Sequence, residues 1–326
     1  MFKFKGLILM NNITKKLKKR FCKDVNIPII LYDEPYFSDR LNLFSKHWKK
    51  LLKQWEIFRS ELKFFKFEDE YFQYYSSFKE KVINYIKEKE EYKSFNSCDM
   101  NVFFKIPNYN IKSKTIFKDE NVGKNFISID LIKGNYSALK YYNPKLVDNT
   151  NNYEEFISQF TNSQHFINSK YIRQVIFGNC NPKRQITIEH YMMNIILKEI
   201  LKKIELERIF LFLSDEIIIE NFQKEDIDFI KNITKKYNFN VKIETFNLQK
   251  ISDTNFYIKY FDNDNKIEFK CVNALFIPML LRKYYYNFIH SNDKIFEHEG
   301  YLVSFVGDMD LLEKNWVKNL NRKNLK

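Results

Sequence analysis

Apolar residues along this chain recur in two rhythms, and the switch between them divides it. From Ser38 to about Lys93 they return every three or four positions: Leu41, Phe44, Trp48, Leu51, Leu52, Trp55 and Phe58, with Lys and Glu between. That spacing is the buried stripe of amphipathic helices, and a further helix is predicted over 70–93. The aromatics on the stripe read as core rather than as platforms for bases. After an irregular stretch, 94–122, the period shortens to two. Asn125-Phe-Ile-Ser-Ile-Asp-Leu-Ile132 predicts a strand, and Tyr136, Leu139 and Tyr142 predict a helix behind it. Gly134 between them is expected to let the backbone turn sharply.

A polar connection with a short helix at 153–160 leads to Lys170 and a loop, Gly178-Asn-Cys-Asn-Pro182, whose Gly and Asn suit unusual backbone angles. A long helix is predicted over 185–204, with Ile188, Met192, Ile195, Ile196, Ile200 and Ile204 as its core face. Ile209-Phe-Leu-Phe-Leu-Ser-Asp-Glu-Ile-Ile-Ile-Glu220 then reads as strand, tight turn, strand, with Asp215 and Glu216 at the tip. A helix at 223–237, a strand at 239–246 and a hairpin at 256–270 follow. From Phe126 to Phe246 the order is strand, helical insertion, hairpin, helix, strand. The predicted class is α+β: a helical N-terminal region, then a ferredoxin-like βαββαβ antiparallel sheet with helices on one face. The regions are 1–122, mainly helical; 123–250, α+β; and 251–326, strand-rich.

Composition narrows the partners. Hydrophobic residues make up 44% of the 326 and aromatics 17%, which excludes a disordered chain. A net charge of +13 favours a polyanionic partner such as nucleic acid. The cysteines at 22, 98, 180 and 271 are too far apart for a zinc site or a dense disulfide framework, so reduced thiols are expected. The apolar run Leu7–Met10 is short, a strand candidate rather than a signal peptide, and no later run has the length of a membrane span. A cytoplasmic protein with no membrane partner is the expectation. The basic run Lys15–Arg20 reads as a solvated helix face, His190 as a helix-surface residue, and Asp308 and Asp310 as turn residues. There is no glycine-rich phosphate loop and no Ser/His/Asp or Cys/His grouping.

The acidic residues carry the candidate chemistry. Asp130 interrupts an apolar strand, and Asp215 and Glu216 cap an apolar hairpin. Carboxylates there are costly without a cation, and the usual cation is a divalent metal. The bland readings are a helix cap for Asp130 and a solvated turn for the pair. In the βαββαβ order the first strand and the hairpin are neighbours, so Asp130 and Asp215 can face each other. Three carboxylates suffice for two divalent ions about 4 Å apart, one activating a 3′-hydroxyl and one bridging phosphates. Lys183 and Arg184 at the start of the long helix, with Lys170 and Arg173 before it, would meet a triphosphate or a nucleic-acid backbone.

Together these stretches resemble the palm domain of template-dependent polymerases, most nearly reverse-transcriptase-like palms, over about 123–250. Ser128-Ile-Asp-Leu-Ile-Lys-Gly-Asn-Tyr136 is similar to the first catalytic motif, Gly178-Asn-Cys-Asn-Pro182 and its helix to the loop that cradles nucleotide and template, and Leu213-Ser-Asp-Glu-Ile-Ile-Ile219 to the metal-binding hairpin. The resemblance implies Asp130, Asp215 and Glu216 as ligands of two Mg2+ or Mn2+ ions. It also implies Gly178 in the nucleotide-cradling loop, Tyr136 as the check on the sugar 2′ position, and Lys242 or Lys250 as the acid that protonates pyrophosphate. Nucleic acid and nucleoside triphosphates would be the partners, with 1–122 as fingers or an accessory region and 251–326 thumb-like or packed on the palm. The sequence departs from reverse transcriptases in its Asp-Glu pair, in a Gly-to-Pro spacing one residue shorter, and in an aromatic six positions after Asp130. The other classes in view are a non-catalytic binding protein built on an RNA-recognition-like sheet and a structural or viral component.

Overall fold

A computed structural model describes residues 13–111, 114–251, 254–262 and 266–305. The strand candidate at 7–10 and the turn residues Asp308 and Asp310 lie outside them. The N-terminal part is helical: α1 (Lys15–Val25), α2 (Tyr36–Ser45), α3 (Leu51–Leu62), α4 (Glu68–Glu88), α5 (Glu90–Ser97) and the single turn α6 (Met100–Phe103). Thr14 caps α1, its hydroxyl accepting from the Leu17 amide at 3.3 Å, which satisfies one of the helix's open donors. Within the basic run Leu17 and Phe21 turn inward, and Lys18 is drawn in with them to reach Glu34 at 2.6 Å. The run is thus only in part a solvated face. The apolar stripe starting at Ser38 is divided between α2 and α3 by the connection at 46–50.

The sheet begins with β1 (Asn125–Leu131), followed by α7 (Gly134–Tyr142), α8 (Tyr153–Ser158), α9 (Gln164–Asn168), α10 (Lys170–Gly178) and α11 (Pro182–Ile200). Then come the hairpin β2 (Ile209–Phe212) and β3 (Glu216–Glu220), α12 (Lys224–Tyr237) and β4 (Val241–Lys250). The chain finishes with β5 (Tyr257–Phe261), β6 (Ile267–Lys270), α13 (Ile277–Tyr286) and a separate hairpin, β7 (Ile295–His298) and β8 (Tyr301–Ser304). The first six strands form one antiparallel sheet in the order β2-β3-β1-β4-β5-β6. The fold is therefore α+β, but the sheet is wider than a simple βαββαβ unit, and five helices rather than one separate β1 from β2. Beyond residue 250 the chain continues this sheet. It also touches the helical region, where Arg282 of α13 meets Asp39 of α2 at 2.8 Å.

Strand alternation sorts the two faces. Ile127, Ile129 and Leu131 of β1, with Ile217 and Ile219 of β3, join the main core built by the helices. Burying each such side chain stabilises by roughly 1.5–3 kcal/mol. Phe126, Ser128 and Asp130 point the other way. At the Phe126 end that second face is closed by Phe210, Ile218, Phe246 and Leu248, with Ile116 and Phe117 from the segment before β1 packed over them. At the Asp130 end it carries polar residues instead.

Two expectations about glycine need correcting. Lys133, not Gly134, takes the left-handed turn after β1 (φ 52°), and Gly134 is the first residue of α7. Likewise Asn181 (φ 57°) makes the turn into α11, while Gly178 closes α10. Asn carries the left-handed angle at many turns of this chain, its short polar side chain bonding locally.

Candidate active site

β1 lies between β3 and β4, so each of its residues has two lateral neighbours. For Asp130 these are Glu216 and Lys242. The next position on the same face, Ser128, stands between Ile218 and Glu244. The Ser128 hydroxyl donates to Glu216 Oε1 at 2.6 Å, and Lys242 Nζ pairs with Glu244 at 2.6 Å. Asp215 occupies the exposed turn between β2 and β3, and its carbonyl accepts from the Leu131 amide at 2.8 Å, which fixes the turn beside the end of β1. Asp130, Asp215 and Glu216 are thus brought together at one end of the central strands.

The Asp130 carboxylate makes no hydrogen bond or ion pair among the described residues, because the adjacent ammonium is engaged by Glu244. Burial, then the neighbouring carboxylates Glu216 and Asp215, push its pKa up to about 6. Glu189 on α11 behaves similarly: burial and then Asp215 raise it to about 7, and it has no hydrogen-bond partner among the described residues. Its carboxylate rests on Gly134, where a Cβ would lie 2.9 Å from the Glu189 Cδ.

Glu189 was not singled out from the sequence. Its signal was periodicity: Gln185, Ile188, Met192, Met193 and Ile196 are all buried, and position 189 falls on the same stripe. An acidic residue there demanded an explanation. Its neighbour His190 is not a surface residue, its ring lying 4.6 Å from that of Phe212.

The other predicted residues scatter. Tyr136 is buried, and its hydroxyl donates to the Thr150 carbonyl at 2.8 Å, so it is not free to meet a sugar at the carboxylates. Arg184 donates to the carbonyls of Phe95 and Cys98 at 2.9 and 2.8 Å, closing the C-terminal end of α5, and so is withdrawn from any phosphate. Arg173 packs over the Tyr153 ring at 5.7 Å. Lys183 and Lys170 are exposed at the starts of α11 and α10, and Gly178 is on the surface at the end of α10. Lys242 stands beside Asp130, but Lys250 does not. It pairs with Asp119 at 2.6 Å, and eight residues of extended strand, about 27 Å at ~3.4 Å each, separate it from Lys242.

The chain matches no family model, no curated protein and no solved structure. Among the described residues, no three His, Cys, Asp or Glu side chains converge tightly enough to hold a metal ion as they stand, and no helix is long and apolar enough to cross a membrane. What the arrangement offers is a set of hard oxygen donors on a firm strand pair, with one lysine beside them.

Proposed function

We propose that the chain is a metal-dependent nucleotidyltransferase that extends a DNA or RNA strand with nucleoside triphosphates, with Asp130, Asp215 and Glu216 as its acidic centre. The observation that carries this reading is the juxtaposition of the three carboxylates at one end of β1 and β3, with Asp130 left uncompensated. Four of the sheet's strands lie in the order β4-β1-β3-β2, all antiparallel, an order that supports the resemblance read from the motifs. β5 and β6 would be additions to it.

The donor set suits Mg2+ or Mn2+, which favour carboxylate oxygens. Burial first, and then the neighbouring Glu216 and Asp215, raise the proton affinity of Asp130, and a bound cation would offset it. Asp130 and Asp215 would hold the metal, and Ser128 would keep Glu216 oriented as the third ligand. When bound, two such ions lower the pKa of a 3′-hydroxyl and neutralise charge on the phosphates. In the transfer the hydroxyl gives up its proton to solvent, its oxygen bonds to the α-phosphorus, the α–β anhydride bond breaks, and pyrophosphate leaves. Lys242 is the cation beside Asp130 and would supply a proton to the leaving group. The aromatic residues of this sheet face, Phe126, Phe210 and Phe246, are buried, so the face does not offer the exposed rings of an RNA-recognition sheet.

The test is incorporation of labelled nucleotides on DNA and RNA primer–templates, and without template, with Mg2+ and with Mn2+. Asp130→Asn and Asp215→Asn should each lower the rate by at least ~100-fold, the scale of losing a group that stabilises transition-state charge, while the fold is kept. No incorporation by the parent with either metal removes the enzyme reading.

A further inference from the structure

A second site lies away from the carboxylates. Between the C-terminal half of α1 and the segment after it, the α2–α3 connection, the start of α10 and the edge strand β6 runs a cleft of about 1220 Å³. That exceeds the ~300–1,000 Å³ of a small-molecule pocket and has room for a stretch of chain. Seven of its lining residues are lysines and one is a carboxylate, Glu268. That carboxylate is already taken by Lys266 and Lys270, each at 2.9 Å. Lys19, Lys23, Lys46, Lys49 and Lys170 are exposed and have no acidic partner among the described residues.

Aromatic faces are interleaved with these cations. Trp48 is stacked on Phe44 with ring centroids 5.2 Å apart and is braced by His47. Tyr171 of α10 already carries Arg20 at 4.1 Å and Lys23 at 4.2 Å over its ring, and Tyr285 of α13 is exposed with its hydroxyl 3.3 Å from His47 Nδ1. A groove of unpaired cations can neutralise a run of phosphates, and flat rings between them stack on bases that are not already stacked in a duplex. We infer that this cleft binds a single-stranded nucleic acid, with its lysines on the backbone and Trp48 and Tyr285 against the bases.

The cleft deepens the proposed function without depending on it. Its β6 wall is three strands from β1, about 14 Å at ~4.8 Å per strand, so binding there needs neither metal nor the acidic residues. Lys266 joins the two sites: it contacts Glu268 in the cleft and also Glu244, the partner of Lys242, at 3.3 Å.

The test uses the full chain in EDTA with a fluorescein-labelled 12-nucleotide oligo(dT) or oligo(U), read by anisotropy across salt concentrations, with a 12-base-pair duplex as competitor. Lys46→Glu/Lys49→Glu should weaken single-strand binding by ~10-fold or more and flatten the salt slope by ~0.7 for each phosphate no longer neutralised. Lys224→Glu/Lys235→Glu, which makes the same charge change on α12 outside the cleft lining, should bind as the parent does. Equal weakening by the α12 pair would mean attraction by net charge alone and would overturn the inference. So would a duplex that competes as well as a single strand, or a parent that does not bind. Failure of incorporation with binding intact would remove the catalytic reading and leave this one standing.

Discussion

Among the aspartates that the described residues draw out of water, Asp24 and Asp130 are treated oppositely by the fold. Asp24 of α1 is fully buried, yet its carboxylate is enclosed by donors: the Arg20 guanidinium at 2.8 Å, the Tyr75 hydroxyl at 2.8 Å, His165 Nε2 at 3.1 Å and the Ser169 hydroxyl at 3.2 Å. Those partners come from α1, α4, α9 and the residue before α10, so one charge ties the helical region together. Asp130 is half-buried between a glutamate and a lysine that is engaged elsewhere, and it receives no such donors. A buried carboxylate is tolerated where its donors are built in. Where they are not, it holds its proton or draws a cation. The first pattern is structural, and the second is the one on which the proposed metal site rests.

The largest effect should come from breaking the compensated side. Asp24→Ala leaves the Arg20 charge, the Tyr75 hydroxyl and the His165 ring facing one another without their common acceptor. Removing one partner of a buried ion pair costs about 3–5 kcal/mol, and the midpoint of urea unfolding should fall accordingly. Asp130→Asn should not destabilise in the absence of metal. If the two substitutions cost the same, the contrast between the regions is wrong.

Acidity sharpens the same contrast. Asp130 at about 6 and Glu189 at about 7 both stand above ordinary carboxylates, so the folded state keeps protons that the unfolded chain releases. That contribution is fully present below about pH 4 and is lost as pH rises through 6 and 7. In EDTA the parent's melting temperature should therefore drop by a few degrees between pH 5 and 8, relative to Asp130→Asn/Glu189→Gln. Millimolar Mg2+ at pH 8 should restore the parent and leave the variant unchanged, since a ligand stabilises only the state that binds it. Parallel melting curves for both proteins across this range would show that the crowding is relieved without a cation.

Much of this was legible because it rests on short-range pattern. The strand at β1, the hairpin with Asp215 and Glu216, α4, α11, α12 and the β5–β6 hairpin follow from the period of apolar residues, and their order brought Asp130 beside the hairpin. What was not legible depended on how distant segments meet. Nothing local marks Arg184 as the donor that closes α5, or Tyr136 as a core residue bonded to Thr150. The extension of the sheet by β5 and β6 is a pairing choice that alternation does not specify. The lysines of the cleft come from four separate stretches, none unusual in a chain with 54 Lys and Arg. Asp24 stood in a basic helix as one acid among lysines, and its partners come from residues 75, 165 and 169.

The smallest effect concerns the packing behind Asp130. Gly134 opens α7 directly after the β1 turn, and an added Cβ would sit 2.9 Å from Cδ and 3.0 Å from Oε1 of Glu189. Alanine is the better helix former by up to about 1 kcal/mol, so Gly134→Ala ought to stabilise if that space were open. The atoms in the way are the tip of one side chain, which can shift, but only by moving a carboxylate that is already short of partners. In the parent the two terms oppose each other, and Gly134→Ala should be destabilising by up to about 1 kcal/mol. In a Glu189→Ala background the obstruction is gone, and the same change should be neutral or stabilising. The coupling in a double-mutant cycle should then be about 1–2 kcal/mol, measured by urea unfolding at pH 8, where Glu189 carries its charge. Additive effects would place Glu189 away from Gly134 and detach it from the acidic centre. Coupling of the expected sign would make it a fourth carboxylate held against the turn that follows the strand of Asp130, which is where a cation bound to Asp215 would also be felt.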